Sequence, residues 1–176
     1  TIMELFGQDV EKVDQPRLDP VNPQGVLEPI RGARVLLVED NAINRQVAGE
    51  ILQGLGLVVT MAEDGQEGVR KALESAFDIV FMDIQMPRMD GYTATQKIRE
   101  LPHLQALPII AMTAHIMSGD REKSLAAGMN DHIGKPIDKK QLFAALTRWI
   151  KPQLPRTQNS KIAFSAPVLT RDASNS

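Results

Sequence analysis

Between Arg34 and Ile150 one pattern repeats five times: a short apolar run rich in β-branched residues, then a longer run whose apolar residues recur at helical spacing. "RVLLVE" precedes "INRQVAGEILQGLG", "LVVTMA" precedes "DGQEGVRKALESA", and "DIVFMD" precedes "GYTATQKIREL". "LPIIAMT" then precedes "MSGDREKSLAAG", and a weaker run, "MNDHIG", precedes "DKKQLFAALTRWI". Strands separated by helices cannot pair as hairpins, so each crossover returns the chain to the same end of a parallel sheet, with helices on both faces. Strands buried on both faces should be almost continuously apolar, and three of the five are. The expected class is α/β, a doubly wound sheet of five parallel strands.

Outside that pattern the composition changes. Residues 1–32 contain "EKVDQPRLDPVNPQGVLEP", with four prolines and no sustained apolar period, and read as an interdomain linker. Residues 33–151 form the expected domain. Residues 152–176 are polar and rich in serine and asparagine, too short for an independent output domain, and read as a flexible tail. The chain starts on Thr1 with no signal-peptide pattern, which suggests a piece of something longer.

A formal net charge of −2 lacks the basic excess of a nucleic-acid surface, and no apolar run approaches the roughly 20 residues of a membrane span. Neither nucleic acid nor membrane contact is expected of this segment. The absence of cysteine excludes disulfides and thiolate metal sites, and a reducing, cytoplasmic setting is the simplest assumption.

Open parallel sheets place their sites at the carboxyl ends of the strands, and there the residues become informative. The first strand ends on Glu39 and Asp40, and the third on Asp83. If those strands are neighbours, three carboxylates converge and repel unless a cation or protons neutralise them. Oxygen ligands with no thiolate or clustered imidazole suit Mg2+, which retains waters that a phosphate can replace. The fourth strand brings the hydroxyl of Thr113 and the fifth the ammonium of Lys135. Taken singly, each has an ordinary role: Asp83 as a turn former, Thr113 as a strand-end cap, Lys135 as a solvated charge, Pro136 as a helix-start proline. Taken together, a metal, a hydroxyl and an ammonium suit a phosphoryl group, with Asp83 as the nucleophile forming an acyl phosphate.

With these residues in place, the core from Ala33 to Lys151 resembles the receiver domain of two-component phosphorelay proteins. The motifs are the acidic pair in "VEDN", the phosphoacceptor in "MDIQMPRMDG", the hydroxyl in "MTA" and the lysine in "GKP". The resemblance implies a flavodoxin-like sheet with strand order 2-1-3-4-5. It implies Mg2+ held by Asp40, Asp83 and the backbone carbonyl of Gln85, with Glu39 acting through water, and a cis bond between Lys135 and Pro136. "EDNAINRQVA" and "MTAH" are most similar to the receivers of hybrid sensor histidine kinases. A histidine kinase or a histidine phosphotransfer domain is the implied partner, and the segment would be cytoplasmic, as part of a membrane-bound sensor kinase or as a stand-alone response regulator.

Where the family usually has Tyr or Phe, three residues before the lysine, this chain has His132, which puts the usual aromatic switch in question. By the same resemblance Gln85 and His115 tune the lifetime of the phosphorylated state. Docking is expected on the helix bearing Ile43, Val47, Ile51 and Leu55, some of which must pack on the sheet. A dehalogenase-type phosphohydrolase is disfavoured because Gln85 stands where its second acid would be. A flavodoxin is disfavoured because two acids follow the first strand where a flavin phosphate would bind. An inert docking scaffold does not explain five intact site residues.

Overall fold

A computed structural model describes residues 28–114 and 118–152. The strands are β1 (Arg34–Val38), β2 (Val58–Ala62), β3 (Ile79–Asp83), β4 (Ile109–Thr113) and β5 (Asp131–Gly134). They alternate with α1 (Ala42–Gly54), α2 (Gly65–Glu74), α3 (Gly91–Arg99), α4 (Ser118–Ala127) and α5 (Lys139–Trp149). All pairings are parallel and the spatial order is β2-β1-β3-β4-β5, as the family resemblance implies. The inner strands β1, β3 and β4 are almost wholly buried, which is why they read as continuous apolar runs.

Alternation along each strand divides its side chains between two cores. Val35, Leu37, Phe81, Ile110, Met112 and Ile133 meet Ala48 and Leu52 of α1 and Leu142 and Leu146 of α5. Leu36, Val38, Val80, Met82 and Ala111 meet Ala72 of α2 and Ala94 and Ile98 of α3. Close approach is built in: a Cβ at Gly68 of α2 would lie 2.9 Å from Val38 on β1. Truncating a fully buried residue such as Phe81 to alanine would cost about 3–5 kcal/mol.

The helices start where short polar side chains cap them. Asn41, Asp64, Asp90 and Asp138 each accept a backbone N–H from the first turn of α1, α2, α3 and α5. These capping residues follow β1, β2, β3 and β5 in turn, so the helix starts cluster at the carboxyl edge of the sheet.

The packed chain begins before the expected boundary at residue 33. Glu28–Ile30 form a short 3-10 turn, Ile30 is 3% exposed within the core around α1 and α5, and Gly32 N–H donates to Gly56 O at 2.9 Å. One apolar residue in a proline-rich stretch carries no periodicity, so the sequence gives no sign of this packing. Residues 1–27 and 153–176, most of the expected linker and of the expected tail, lie outside the described residues. No described helix is long and apolar enough to cross a membrane.

Candidate functional site

Parallel pairing sets the strand ends side by side. In register, Val38 pairs with Met82, Asp83 with Met112, and Thr113 with Gly134, so the residues that follow or end each strand collect along one edge. Glu39 is fully buried, Asp83 is 3% exposed, Thr113 is buried, and Asp40 faces solvent. Oxygen atoms from Glu39, Asp40 and Asp83 lie within 4.8 Å of one another.

Lys135, from the turn after β5, reaches into this group. Its Nζ lies 2.8 Å from Glu39 Oε2 and 2.8 Å from Asp83 Oδ2. Burial disfavours its charge, but the two carboxylates more than reverse this and raise its pKa. Asp83 is treated differently. Burial pushes its carboxyl up to about 6, Lys135 opposes the shift, and the like charge of Glu39 adds to it. One ammonium therefore does not satisfy the acids. The donor set is all oxygen and its unneutralised charge is negative, so the residues present fit a hard divalent cation.

The loop after Asp83 is held from both sides. Gln85 N–H donates to Asp83 Oδ1 at 3.2 Å, and Gly91 N–H donates to Ile84 O at 3.0 Å. A Cβ at Gly91 would lie 2.2 Å from the Asp83 carbonyl oxygen, so only glycine lets α3 start this close to the site. Arg88 takes φ 67, an unfavourable region for a side-chain-bearing residue, and its guanidinium pairs with Asp64 at the start of α2. The Lys135–Pro136 peptide bond is cis.

The other sequence candidates separate. Gln85 is exposed, and its described contact with the acids is through its backbone N–H. His132 lies on β5 with Nδ1 3.8 Å from Asp131 Oδ1, and Asp131 also accepts from Trp149 Nε1 at 2.9 Å. Its described side-chain neighbour is thus Asp131 rather than the acidic group. His115 lies outside the described residues. The candidate docking helix divides: Ile43 is 74% and Val47 46% exposed, whereas Ile51 packs against the core and Leu55 belongs to it.

Three further residues lie near the acids. Asn44 Nδ2 donates to Glu39 Oε1 at 3.2 Å, and Arg45 donates to the carbonyls of Glu39 and Asp40 at 2.7 and 3.2 Å. Asn41 caps the helix that carries them. Helical side chains lean toward the N-terminus, so polar residues in the first turn after an acid pair point back at it. That spacing was a readable signal.

The family model described as "Response regulator receiver domain" matches residues 35–147. The chain belongs to the receiver domain family. This receiver is 43% identical over 115 residues to the signal transduction histidine-protein kinase BarA of Escherichia coli strain K12, covering 65% of the chain and 12% of BarA. It is 36% identical over 149 residues to the sensor protein GacS of Pseudomonas syringae, covering 81% of the chain and 16% of GacS. The receiver therefore spans well under a fifth of the length of these relatives. Among solved structures, the receiver domain of sensor histidine kinase PA1611 from Pseudomonas aeruginosa has magnesium coordinated in its active site cleft. It is 44% identical with TM-score 0.63, over 67% of this chain and 97% of that one. The Saccharomyces cerevisiae receiver domain of Ssk1, solved with the histidine phosphotransfer protein Ypd1, is 31% identical with TM-score 0.64, over 68% of this chain and 89% of that chain.

Proposed function

We propose that this receiver accepts a phosphoryl group from a phosphohistidine onto Asp83, within a two-component phosphorelay whose parent chain is a sensor histidine kinase on the cytoplasmic side of a membrane. The carrying observation is the buried Asp83 carboxylate at a strand end, grouped with Glu39 and Asp40 and touched by Lys135. The names of BarA and GacS support the kinase context.

In the proposed step a carboxylate oxygen of Asp83 attacks phosphorus, the phosphorus–nitrogen bond breaks, and the electron pair leaves with the donor imidazole. Asp40, Asp83 and the Gln85 carbonyl would hold Mg2+, with Glu39 acting through water. The ion would supply charge neutralisation between the acids and the incoming phosphoryl oxygens. Lys135 is within reach of the same carboxylate, and the Thr113 hydroxyl ends the adjacent strand, so both are assigned to the phosphoryl oxygens. Gln85, His132 and His115 are assigned to tuning the response and the lifetime of the acyl phosphate.

The donor domain would dock over α1. Ile43 and Val47 stand exposed there, and Asn44, Val47, Lys135, Pro136 and Ile137 line a cavity of about 100 Å3 at its edge. The Ypd1 complex of Ssk1 supports a histidine phosphotransfer domain as the partner.

The test is incubation of the chain with acetyl phosphate and Mg2+, with adducts mapped by mass spectrometry. One hydroxylamine-sensitive adduct on Asp83 is expected, lost with EDTA. The same adduct in Asp83→Asn would sink the assignment.

A further inference from the structure

Asn41 to Arg45 follow the acid pair directly and open α1. The first of these residues is accounted for, since Asn41 Oδ1 accepts from the N–H groups of Ile43 and Asn44 and caps α1. A helix start needs nothing more. Yet the same first turn aims two further polar side chains at the acid pair.

We propose that Asn44 and Arg45 are positioning residues of the acidic site, setting its affinity for a divalent cation by fixing Glu39 and Asp40 before the cation arrives. The inference rests on the cation reading above and extends it to residues that touch no cation.

The two oxygens of the Glu39 carboxylate are held separately. Asn44 Nδ2 takes Oε1 at 3.2 Å and Lys135 Nζ takes Oε2 at 2.8 Å. With Asn44 in place Glu39 has no exposed surface, so in the folded chain the amide rather than bulk water meets Oε1. The chemical type of the donor matters. A neutral amide orients the carboxylate without cancelling its charge, whereas a second cation there would remove the attraction on which binding depends. Arg45 does bring a charge, but its other arm pairs with Glu63 Oε1 at 3.3 Å. Its NH1 is spent on the backbone carbonyls of Glu39 and Asp40, which fixes the peptide carrying both acids. Asn44 therefore sets the orientation of one carboxylate, and Arg45 sets the backbone of the pair.

Outer partners of this kind typically change metal affinity by about 10- to 100-fold. Loss of Asn44 frees the Glu39 carboxylate to turn, so the cation must order it on binding. Loss of one arm of Arg45 leaves the backbone partly held, and its effect is smaller.

The experiment titrates Mg2+ into the full 176-residue chain and follows backbone amide shifts, with a thermal melt of each variant in EDTA alongside. Asn44→Ala should raise the Mg2+ Kd by about tenfold. Arg45→Lys, which can reach only one carbonyl, should raise it less. Asn41→Ala removes the cap and should lower the melting temperature while leaving the Kd within about twofold of wild type. If Asn44→Ala does not fold, Asn44→Ser is held to the same standard. A Kd for the Asn44 variant equal to wild type overturns the inference and leaves the cation site standing. An equal loss of affinity in Asn41→Ala also overturns it, since the effect would then follow helix stability. Failure of the wild-type chain to bind Mg2+ overturns the cation reading, and this inference with it.

Discussion

The helix α3 has an ionisable group drawn into the protein near each end, and the two are treated differently. At its C-terminal end, Arg99 donates Nε to Gly128 O at 2.9 Å, NH1 to Leu104 O at 2.8 Å and NH2 to Asn130 Oδ1 at 2.8 Å. Asn130 Oδ1 also accepts from Ile109 N–H at 2.9 Å, so one knot joins α3, the start of β4 and the turn before β5. Burial lowers the Arg99 pKa, but each of its three nitrogens meets a neutral acceptor of fixed geometry. Before the N-terminal end, Asp83 faces Glu39 and Asp40 with one ammonium among three acids. The first arrangement is complete without any guest and serves the fold. Among the described residues the second is left short of positive charge, and on the proposed reading a cation makes up that shortfall before a phosphoryl group arrives.

The contrast breaks most directly at Arg99. Arg99→Leu removes the donor that meets the Gly128 carbonyl, leaves the Leu104 carbonyl with the Leu107 N–H alone, and breaks the link to Asn130, which together should cost about 3 kcal/mol in urea unfolding. A variant as stable as wild type would show that the knot is incidental.

Asp83→Asn should act in the opposite direction, raising stability at neutral pH. The folded carboxyl titrates at about 6 against a reference of 3.8, so the folded state holds its proton more tightly than the unfolded chain. That contribution is fully present below the unfolded value and is lost as pH rises through the folded one. The advantage of Asp83→Asn over wild type in EDTA should therefore be absent below pH 4, grow between pH 4 and 6.5, and then level. The shift sets an upper bound near 3 kcal/mol, and solvent at the open edge reduces it to about 1–2 kcal/mol. Denaturation across pH 4 to 8 measures the difference, and a flat one would mean that the acids do not interact.

Cation binding should restore part of what repulsion removes. At ten times its Kd, Mg2+ should stabilise wild type by about 1.4 kcal/mol, and Asp40→Asn should lose most of that gain. Equal gains in both proteins would remove Asp40 from the site. The smallest effect belongs to Asp131, whose partner Arg148 is 71% exposed. Asp131→Asn keeps an acceptor for Trp149 and should change stability by less than about 0.5 kcal/mol. A larger loss would make it a third member of the comparison.

The two halves of that comparison were not equally legible. Glu39, Asp40, Asp83 and Lys135 could be placed from sequence because parallel topology turns strand ends into neighbours. Arg99 and Asn130 are 31 residues apart, and no local period joins them. Helical spacing gave Ile43, Val47, Ile51 and Leu55 one face, yet only the tertiary packing decides where along α1 that face leaves the sheet. Asn44 differs, since its signal is local: a polar residue in the first helical turn after the acid pair.

The division of α1 bears on how such a domain can diverge. Leu52 and Leu55 are committed to the core, while Ile43 and Val47 touch little of it. Changes at the exposed end alter what the helix offers to another molecule and leave the folded state nearly untouched, so duplicated copies of this chain could drift apart in partner choice without first acquiring spare stability. The same freedom does not extend two turns further along, where a change of shape must be absorbed by the sheet.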